Sequence, residues 1–385
     1  MSTRKLQQLN VAHFVYFMGH GGLESRIRRL IAGWHDLNVR FFIVSFRAPE
    51  DGDGSAVLPS NVEHIELALE PGVYLSTIRR LKRLLKQSDV HIAHTHNWVT
   101  MFEGVIAARL ASTPVILHGE HGAKIFEADQ FKTHRALAQR FAGWWTNGIV
   151  CVNQPIATQV CRQWGTPERK IEVIENGVDI KKFGPNPAIN DDFTVGTIGR
   201  LVEVKDFPTL IEAMAKLKEK SVKVPVKCRI VGAGPECKRL TELIDQFELG
   251  DCCYLEGATD QPESWYQQFD AYVNCSSSEG MSNTVLEAMA SGLPVICSDV
   301  EGHRAWVHEN ENCLYFRSGD AANLAARIEE LALSKPLCKK LSENNRRRVE
   351  LEYDNTQFLG RYTELYRRKL LEAGLEFEGF NPLAP

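Results

Sequence analysis

Two carboxylates and the start of a helix follow one predicted strand of this sequence, which ends at Asn274. Glu279 lies in the turn after the strand, and Glu287 lies in a predicted helix that Ser282 or Asn283 can cap. The backbone N–H groups and partial positive charge of such a helix start suit a phosphate. The carboxylates can accept hydrogen bonds from sugar hydroxyls on either side of a diphosphate. The competing interpretation is a solvated turn followed by an ordinary helical glutamate.

Two cations follow a second predicted strand, residues 194–198. Arg200 and Lys205 lie in the loop between this strand and the next predicted helix. Cations in a strand-to-helix loop, at the carboxyl edge of a parallel sheet, can hold a diphosphate from two directions. Surface ion pairs are the alternative, but a predicted interdomain linker just upstream favours a cleft.

Glycines open two further loops. Gly19, Gly21 and Gly22 flank His20 after the first predicted strand, and they allow a backbone to approach a ligand closely. The segment 231–235 reads Val-Gly-Ala-Gly-Pro. Each is only a partial dinucleotide fingerprint, so a nicotinamide oxidoreductase is disfavoured.

Histidines follow two more predicted strands. His118, Glu120 and His121 share one loop, but without a fourth distant ligand they are poor evidence for zinc, and a histidine that hydrogen-bonds a substrate is favoured. His96 and Asn97 follow another strand and are expected to reach the cleft. Strand packing is sufficient to explain His91 and His94, which precede them.

Short apolar strands alternate with amphipathic helices in both halves of the chain. The predicted strands span residues 11–18, 40–46, 90–94, 114–117 and 148–152, and then 194–198, 228–231, 252–255, 271–274 and 294–297. This alternation is typical of parallel sheets built from βα units. We expect a Rossmann-like domain over 1–184, a Gly-, Pro- and Asn-rich linker over 185–192 and a second Rossmann-like domain over 193–355. A C-terminal helix and loose tail would occupy 356–385, with the helix able to cross back to the first domain.

Composition excludes several classes of protein. A length of 385 residues exceeds the roughly 100–150 of a typical domain, and 44% hydrophobic with 24% charged residues indicates a soluble globular protein. A net charge of −4 provides no field for nucleic acid. The ten cysteines lack paired spacing and are expected to be reduced thiols in a cytoplasm. The apolar residues 11–18 read as a strand rather than a signal peptide, and we expect no membrane-spanning segment.

A basic helix is predicted over residues 76–86, which contain five cations and no acid. Its cations cluster opposite its apolar residues, so the helix can cover a sheet and present a solvated basic face. The alternative is peripheral contact with an anionic membrane surface. Trp144 and Trp145 are more typical of packing than of lipid anchoring.

Taken together, these motifs resemble those of glycosyltransferase family 4. The resemblance rests on Gly21-Gly22-Leu23-Glu24, Asn176-Gly177-Val178-Asp179, the loop from Gly199-Arg200 to Lys205, and Glu279-x7-Glu287, and it extends to about Glu309. It implies the GT-B fold, with two Rossmann-like α/β domains facing across a cleft. It also implies a nucleotide-sugar donor held mainly by the second domain, and transfer with retention of anomeric configuration.

The resemblance also implies roles for individual residues. Arg200 and Lys205 would hold the donor diphosphate, Glu287 the ribose hydroxyls and Glu279 the hydroxyls of the donor sugar. His121 would lie near the sugar and the reacting centre. The remaining donor-binding residues would be Gly21, Gly22, Met281, Ser282, Asn283 and Thr284. His118 competes with His121 for its role, and His118, His96 and Asn97 are the candidate acceptor or sugar contacts.

Two positions depart from the pattern of the family. Asp206 stands where glycine usually follows the lysine, and Ala305 stands where an acidic residue is common. The second departure weakens any inference about the donor sugar.

We therefore expect a cytoplasmic retaining hexosyltransferase of bacterial polysaccharide or glycolipid synthesis, placed at the inner face of the membrane. It would need no metal or other cofactor, because Arg200, Lys205 and the helix start at Asn283 supply positive charge at the leaving diphosphate. Its partners would be a nucleotide diphosphate sugar and a saccharide or lipid-linked acceptor. The alternatives are a GT-B sugar-nucleotide epimerase and a non-catalytic nucleotide-binding protein.

Overall fold

A computed structural model of the chain describes residues 3–19, 21–48, 58–69, 74–122, 132–185, 192–220 and 224–380. The chain divides into two units, one formed by Met1–Glu175 with Phe358–Pro385 and the other by Asn176–Gln357. Both are α/β structures, as the alternating pattern of the sequence predicts.

The first unit is built on a parallel sheet. Its strands are β1 (Arg4–Leu6), β2 (Leu9–Val15), β3 (Val39–Ser45), β4 (Val62–Glu66), β5 (Ile92–His96), β6 (Val115–Glu120), β7 (Gly148–Cys151) and β8 (Ile171–Val173). Its helices are α1 (Gly22–Gly33), α2 (Tyr74–Gln87), α3 (Asn97–Ala111), α4 (Lys132–Trp145) and α5 (Gln154–Trp164). The seven-stranded sheet has the order β4-β3-β2-β5-β6-β7-β8. Strand order therefore reverses between β2 and β5, and such a switch point leaves a crevice at the carboxyl edge.

The second unit repeats this architecture. Its strands are β9 (Phe193–Ile198), β10 (Val226–Val231), β11 (Cys253–Gly257), β12 (Ala271–Asn274), β13 (Val295–Ser298) and β14 (Cys313–Phe316). Its helices are α6 (Phe207–Glu219), α7 (Cys237–Gln246), α8 (Pro262–Tyr266), α9 (Asn283–Ala290), α10 (Glu301–Arg304), α11 (Ala321–Leu333) and α12 (Lys335–Arg348). The parallel sheet has the order β11-β10-β9-β12-β13-β14, so its switch point lies between β9 and β12.

The C-terminal segment returns to the first unit. Helix α13 (Asn355–Glu372) buries Tyr362 and Tyr366 in the core of that unit, and β15 (Leu375–Phe377) pairs in parallel with β1. The prediction that the helix crosses back is confirmed. The prediction of a loose tail is wrong up to residue 380, because β15 is hydrogen-bonded to β1 and Phe380 is buried. Residues 381–385 lie outside the described part.

The boundary between the units differs from the predicted one at residue 184. Segment 176–185 packs on the second unit: Asn176 donates from Nδ2 to the carbonyl of Met281 at 2.9 Å, and the Phe183 ring contacts Tyr266. Gly- and Pro-rich composition marks residues 184–192 but does not reveal these contacts. Of the predicted linker, residues 186–191 lie outside the described part.

Five strands were missing from the sequence-based prediction. Three of them, β1, β8 and β15, are only three residues long, and β4 reads VEHIE, which alternates weakly. Strand β14 has only four residues, CLYF. No helix in the described ranges is long and apolar enough to span a membrane.

Candidate active site

The loop after β9 is shaped by close backbone contacts with the loop after β10. Gly199 N–H donates to the carbonyl of Val231 at 3.0 Å, and Leu201 N–H donates to that of Ala233 at 2.8 Å. A Cβ at Gly232 would lie 1.8 Å from the carbonyl oxygen of Gly199, so only glycine fits there. The glycines of the partial fingerprint at 231–235 therefore allow the loop after β10 to pack closely against the loop that carries Arg200.

The departure at Asp206 has a conformational explanation. Asp206 adopts a left-handed backbone conformation, with φ of 48°, immediately before α6. Glycine adopts this conformation without strain, whereas aspartate is among the few other residues that tolerate it. Its Oδ2 accepts a hydrogen bond from Thr209 Oγ1 at 2.7 Å. The aspartate therefore occupies a position that favours glycine and accepts a hydrogen bond from the first turn of α6.

The turn after β12 is held by short polar side chains. Asn274 accepts from the Ser276 backbone N–H at 3.0 Å through Oδ1 and donates to Ser282 Oγ at 3.1 Å through Nδ2. Ser282 caps α9 by accepting from the N–H of Val285. Met281 and Ser282 are buried, while Asn283 and Thr284 are partly exposed at the start of the helix. The predicted cap is confirmed as Ser282.

Lys205 and Glu279 connect the two loops directly. Lys205 Nζ donates to Glu279 Oε1 at 2.5 Å, and Ser276 Oγ donates to the same oxygen at 2.7 Å. The side chains remain 26% and 13% exposed. Burial alone would raise the pKa of the Glu279 carboxyl, but Lys205, His303 and these hydrogen bonds outweigh it, so the pKa lies below its ordinary value. The carboxylate is therefore ionised and paired.

Helix α10 lies beside this carboxylate. A Cβ on Gly302 would lie 2.0 Å from the carbonyl oxygen of Glu279, so the absent side chain permits close packing. The His303 Nδ1 lies 2.8 Å from the carbonyl oxygen of Ser298, and burial lowers the pKa of this ring. The sequence contains this group at 301–305, but no pattern in it identifies His303 as a neighbour of Glu279.

Glu287 is oriented by a buried tyrosine. The Tyr266 hydroxyl donates to Glu287 Oε2 at 3.0 Å and lies 3.1 Å from the carbonyl of Thr284. Burial, and then the carboxylate of Glu287, raise the pKa of Tyr266, so its hydroxyl stays protonated and serves as a donor. Tyr266 comes from α8, and sequence reasoning missed it because only the fold places it under α9.

Arg200 is exposed in the loop after β9, and its guanidinium contacts no ion-pair partner among the described residues. The structure thus brings together at one sheet edge the loops that carry Arg200, Lys205 and Glu279, followed by the helix that carries Glu287. It differs from the expectation in one respect. Lys205 and Glu279 contact each other instead of standing apart for separate ligand groups.

The corresponding edge of the first unit begins with glycines. Gly21 precedes α1 in an extended conformation, and its carbonyl accepts from Ser25 N–H at 3.0 Å. A Cβ on Gly21 would lie 2.3 Å from a carboxylate oxygen of Glu24. Gly22 is the first residue of α1, and His20 lies outside the described residues.

A row of histidine rings lies on one face of the first sheet. His13 Nδ1 is 2.8 Å from His96 Nε2, and His96 Nδ1 is 2.9 Å from His121 Nε2. His121 is partly exposed just beyond β6, whereas His96 is only 2% exposed. Asn97 accepts from His121 N–H through Oδ1 at 3.2 Å. His96 and Asn97 therefore support His121, and the burial of His96 does not fit a direct contact with a substrate.

His118 lies on the opposite face of the same sheet. Its ring is completely buried, packs against Trp164 of α5 and lies 2.8 Å from Thr95 Oγ1. The predicted sugar or acceptor contact by His118 does not fit this position. Because side chains alternate along β6, two histidines three residues apart face different environments. His121 is the histidine at the edge.

One group in the described ranges has the composition of a metal site. His13, His94 and His96 are buried, and one nitrogen of each lies within 4.8 Å of the others. His94 Nδ1 also lies 2.7 Å from the Tyr366 hydroxyl. These three histidines are not the ones that the sequence analysis considered for zinc. That analysis weighed a zinc site at His118 and His121 and disfavoured it.

Comparison with known families resolves the assignment. The family model described as "Glycosyltransferase Family 4" matches residues 20–182, and that described as "Glycosyl transferases group 1" matches residues 179–348. The chain belongs to glycosyltransferase family 4. The resemblance inferred from the loops is therefore confirmed, and the chain is a glycosyltransferase.

Two relatives and one solved structure illustrate what this glycosyltransferase resembles. The chain is 26% identical over 309 residues to UDP-Gal:alpha-D-GlcNAc-diphosphoundecaprenol alpha-1,3-galactosyltransferase of Escherichia coli, which covers 76% of this chain and 79% of that protein. It is 24% identical over 286 residues to the capsular polysaccharide biosynthesis glycosyltransferase CapM of Staphylococcus aureus, over 70% and 74% of the two chains. The structure of Anabaena HepE in complex with UDP and glucose aligns with a TM-score of 0.79 at 18% identity, and the alignment covers 93% of this chain and 99% of that chain. The fold of this glycosyltransferase is GT-B.

Proposed function

We propose that this glycosyltransferase moves a hexose, with retention of configuration, from a nucleotide diphosphate sugar to a saccharide or lipid-linked acceptor in bacterial polysaccharide or glycolipid synthesis. The names of the relatives support this assignment. One is a galactosyltransferase named for a UDP-sugar and a diphosphoundecaprenol-linked sugar, and another is named for capsular polysaccharide synthesis. The structural relative was captured with UDP and glucose.

The observation that carries the proposal is the position of the charged loops. The loop with Arg200 and Lys205 follows β9, the loop with Glu279 follows β12, and these neighbouring strands form the switch point of the second sheet. Ligands of open α/β sheets bind at such points. The start of α9 adds backbone N–H groups at the same edge. This arrangement suits a diphosphate flanked by hydroxyl-bearing sugars.

The Lys205–Glu279 pair is compatible with both proposed roles. An ammonium has three N–H donors, and Glu279 takes one, so donors remain for the diphosphate. Both hydrogen bonds to the carboxylate of Glu279 reach Oε1, and Oε2 can accept from a sugar hydroxyl. Glu287, oriented by Tyr266, would accept from the ribose hydroxyls.

Charge development explains the need for cations. Cleavage of the bond between sugar and diphosphate places negative charge on the leaving group and oxocarbenium-like positive charge on the sugar. Arg200, Lys205 and the start of α9 stabilise the former. The acceptor hydroxyl would attack on the same face of the sugar, assisted by the leaving phosphate. These groups supply the charge without a metal, so we expect turnover to persist in a chelator.

The test begins with a thermal-shift panel of UDP-, GDP- and ADP-sugars, because a bound donor stabilises the folded protein. Transfer of radiolabelled sugar from the best donor to acceptor mixtures is then measured, and NMR assigns the anomeric configuration of the product. Arg200→Gln should lower kcat about 100-fold. The matched control is Arg317→Gln, an 85% exposed arginine just after β14 and away from the switch point. Equal effects of the two variants, or an inverted product, would contradict the proposal.

We also propose that the first unit contacts an anionic membrane. Helix α2 buries Ile78, Leu81 and Leu85 and exposes Arg79 and Arg83, as its sequence predicts. Clusters of exposed lysine and arginine side chains are attracted to anionic lipid headgroups. This placement would bring the enzyme to a lipid-linked acceptor at the inner face of the membrane.

Helix α4 adds an apolar stripe to the same layer of helices, since α3 packs between α2 and α4. Leu137, Phe141 and Trp144 are exposed at successive turns of α4, and Trp144 is 73% exposed. The expectation that Trp144 serves packing is therefore wrong. An exposed apolar stripe in the same layer of helices as exposed cations has the character of an interfacial surface.

Co-sedimentation with vesicles tests the membrane proposal. Vesicles rich in phosphatidylglycerol should bind the protein, and neutral phosphatidylcholine vesicles should not. Arg79→Gln with Arg83→Gln, or Trp144→Ser, should weaken binding. Lys238→Gln with Lys339→Gln removes two exposed cations from the second unit and should leave binding unchanged. Equal losses in both double variants would contradict a specific surface.

A further inference from the structure

The histidine row behind His121 has a geometry that determines where its protons can lie. His13 Nδ1 faces His96 Nε2 at 2.8 Å, and His96 Nδ1 faces His121 Nε2 at 2.9 Å. The centroids of the His13 and His96 rings are 5.2 Å apart and their planes differ by only 15°, and with the nitrogens 2.8 Å apart this separation requires that the nitrogens lie between the ring centres and point at each other. These are two hydrogen bonds in series, joined by both nitrogens of His96.

The three rings are neutral in the folded protein. Burial lowers the pKa of His13 to about 3. Burial, followed by neighbouring imidazoles, lowers the pKa of His96, and burial, followed by Arg26 and neighbouring imidazoles, lowers that of His121. A neutral imidazole carries one N–H, and an N–H···N bond needs one donor and one acceptor. Only two proton arrangements satisfy both bonds, with all protons on Nδ1 or all on Nε2.

The inner end of the row distinguishes these arrangements. His13 Nε2 is buried and has no hydrogen-bond partner in the described part of the chain. With all protons on Nε2, His13 would hold a buried N–H without an acceptor, and a buried donor without a partner costs roughly 1–3 kcal/mol. With all protons on Nδ1, the outermost N–H belongs to His121, which is partly exposed. The second arrangement is favoured.

We propose that His13 and His96 are positioning residues that hold His121 as the tautomer protonated on Nδ1. His121 then presents a neutral N–H donor at the carboxyl edge and cannot use this nitrogen as an acceptor. This selects a ligand oxygen with a lone pair, such as a sugar hydroxyl or phosphate oxygen. The link to a donor sugar rests on the proposed glycosyl transfer, whereas the tautomer does not.

Gly119 provides room for this arrangement. A Cβ at this position would lie 2.6 Å from His121 Nε2 and 2.8 Å from His96 Nδ1, between the two bonded nitrogens. Any residue other than glycine at position 119 would therefore separate the rings. The absent side chain gives an independent way to break the row without removing a histidine.

A metal site in the same cluster is less compatible with the geometry. A tetrahedral ion bound at about 2.0–2.1 Å needs nitrogen lone pairs that converge on one point. His94 instead stacks on His96, with ring centroids 4.3 Å apart and planes inclined by 26°, so its lone pairs lie in a nearly parallel plane. His13 and His96 already point at each other.

Long-range ¹H–¹⁵N spectra of histidine-labelled protein test the proposal directly, because the ¹⁵N shifts separate the two neutral tautomers from the imidazolium. His13, His96 and His121 should all be protonated on Nδ1 near neutral pH, and the signals of exposed His35 serve as an internal reference. A proton on Nε2 of His121, or a charged ring, would overturn the proposal. So would coordinated shifts of His13, His94 and His96 on adding one equivalent of Zn²⁺.

Matched variants test the coupling. Gly119→Ala should release His121 to a mixture of tautomers, whereas Gly122→Ala adds a methyl group that has no atom of the described residues within 4 Å and should leave the spectrum unchanged. His13→Asn keeps an N–H donor near the position of Nδ1 and should preserve the His121 tautomer, while His13→Leu should not. Unchanged His121 signals in both Gly119→Ala and His13→Leu would overturn the proposal. If His13→Leu does not fold, Gly119→Ala and the unmodified protein still decide.

Turnover separates this inference from the proposed function. Where the unmodified protein transfers sugar, His13→Leu should lower kcat about tenfold relative to His13→Asn, with KM for the donor nearly unchanged. Absence of transfer in the unmodified protein would overturn the proposed function but leave the tautomer measurable. A wrong tautomer in an active enzyme would overturn only this inference.

Discussion

The two units place different chemistry at equivalent positions of similar sheets. Both are parallel sheets whose strand order reverses once, between β2 and β5 in the first and between β9 and β12 in the second. At this edge the first unit presents His121, backed by buried neutral rings, and the second presents Arg200 beside a Lys205–Glu279 pair. The strand order thus determines where in each sheet the polar residues gather. The few residues after each strand determine whether they are neutral hydrogen-bond donors or charged groups.

Burial accounts for the difference. A neutral imidazole can be enclosed if its nitrogens find partners, whereas an enclosed charge needs an opposite charge. Lys205 and Glu279 satisfy that need while staying partly exposed, so they remain accessible to a ligand. The first unit should therefore respond to acid, and the second to the loss of one member of its ion pair.

The largest effect is expected from breaking the ion pair. Lys205→Met should lower kcat about 100- to 1000-fold, because a cation at the leaving group is lost. It should also reduce the free energy of unfolding by roughly 1–3 kcal/mol, because Glu279 becomes a largely buried carboxylate without its ammonium partner. Kinetics and urea unfolding measure the two effects.

A second substitution separates stability from catalysis. Lys205→Met combined with Glu279→Gln should recover most of the lost stability but not kcat. Lys227→Met removes a cation paired with Asp192 at 2.6 Å, at 40% and 32% exposure, and should leave kcat unchanged. Recovery of kcat in the Lys205 and Glu279 double variant would show that the pair matters only for folding.

Acid should open the first unit before the second. Burial holds the pKa values of His13, His94, His96 and His121 below 6.5 in the folded protein, so the unfolded chain binds more protons below that pH. Stability is therefore complete above about pH 6.5 and falls on acidification, by about 1.4 kcal/mol per pH unit for each ring that remains neutral. Below pH 6.5 this loss belongs mainly to the first unit.

Amide hydrogen exchange can follow the two sheets separately. Between about pH 7 and about pH 5.5, protection of β2 and β5 should fall more than that of β9 and β12, after correction for intrinsic rates. In the second unit, His303 contributes one buried ring, and the lowered pKa of Glu279 matters only below its ordinary value of 4.5. An equal fall in both sheets would remove the contrast between the units.

A smaller effect is expected at the hydrogen bond that orients Glu287. Tyr266→Phe removes the donor to Glu287 Oε2 while keeping the buried ring. We expect KM for the donor to rise about three- to tenfold, the range of one modest hydrogen bond, with a smaller change in kcat. Tyr272→Phe removes another buried hydroxyl, 3.3 Å from the carbonyl of Ile198, and is the control. Equal KM changes would indicate a general packing effect.

The sequence predicts the elements of both sheets well because βα alternation is a local pattern. It predicts the loops with Arg200 and Glu279 for the same reason, since each directly follows a predicted strand. It does not predict the Lys205–Glu279 contact, because that distance depends on which strands are neighbours. His118 and His121 appear equivalent in sequence, and only the register of β6 assigns them to opposite faces.

Long-range partners were missed for a related reason. Tyr266 and His13 have no local signature of function: one lies in a short helix, and the other is a single polar residue in an apolar strand. Their importance comes from Glu287 and His96, which are distant in sequence. The short strands β1 and β15 likewise pair only with each other, so the sequence of neither segment predicts a strand by itself.

The smallest effect is expected at Asp206, where two contributions nearly cancel. Asp206→Gly should relieve a left-handed conformation that costs other residues roughly 1–2 kcal/mol, but it removes the hydrogen bond to Thr209, worth roughly 1 kcal/mol. Urea unfolding should therefore show a change within about 1 kcal/mol. Asp206→Ala loses the bond and keeps the strain, so it should be the less stable of the two variants. If the alanine variant were as stable as the glycine variant, the backbone conformation at this position would not explain why glycine is usual in the family. The loop after β9 would then be less constrained than its contacts indicate.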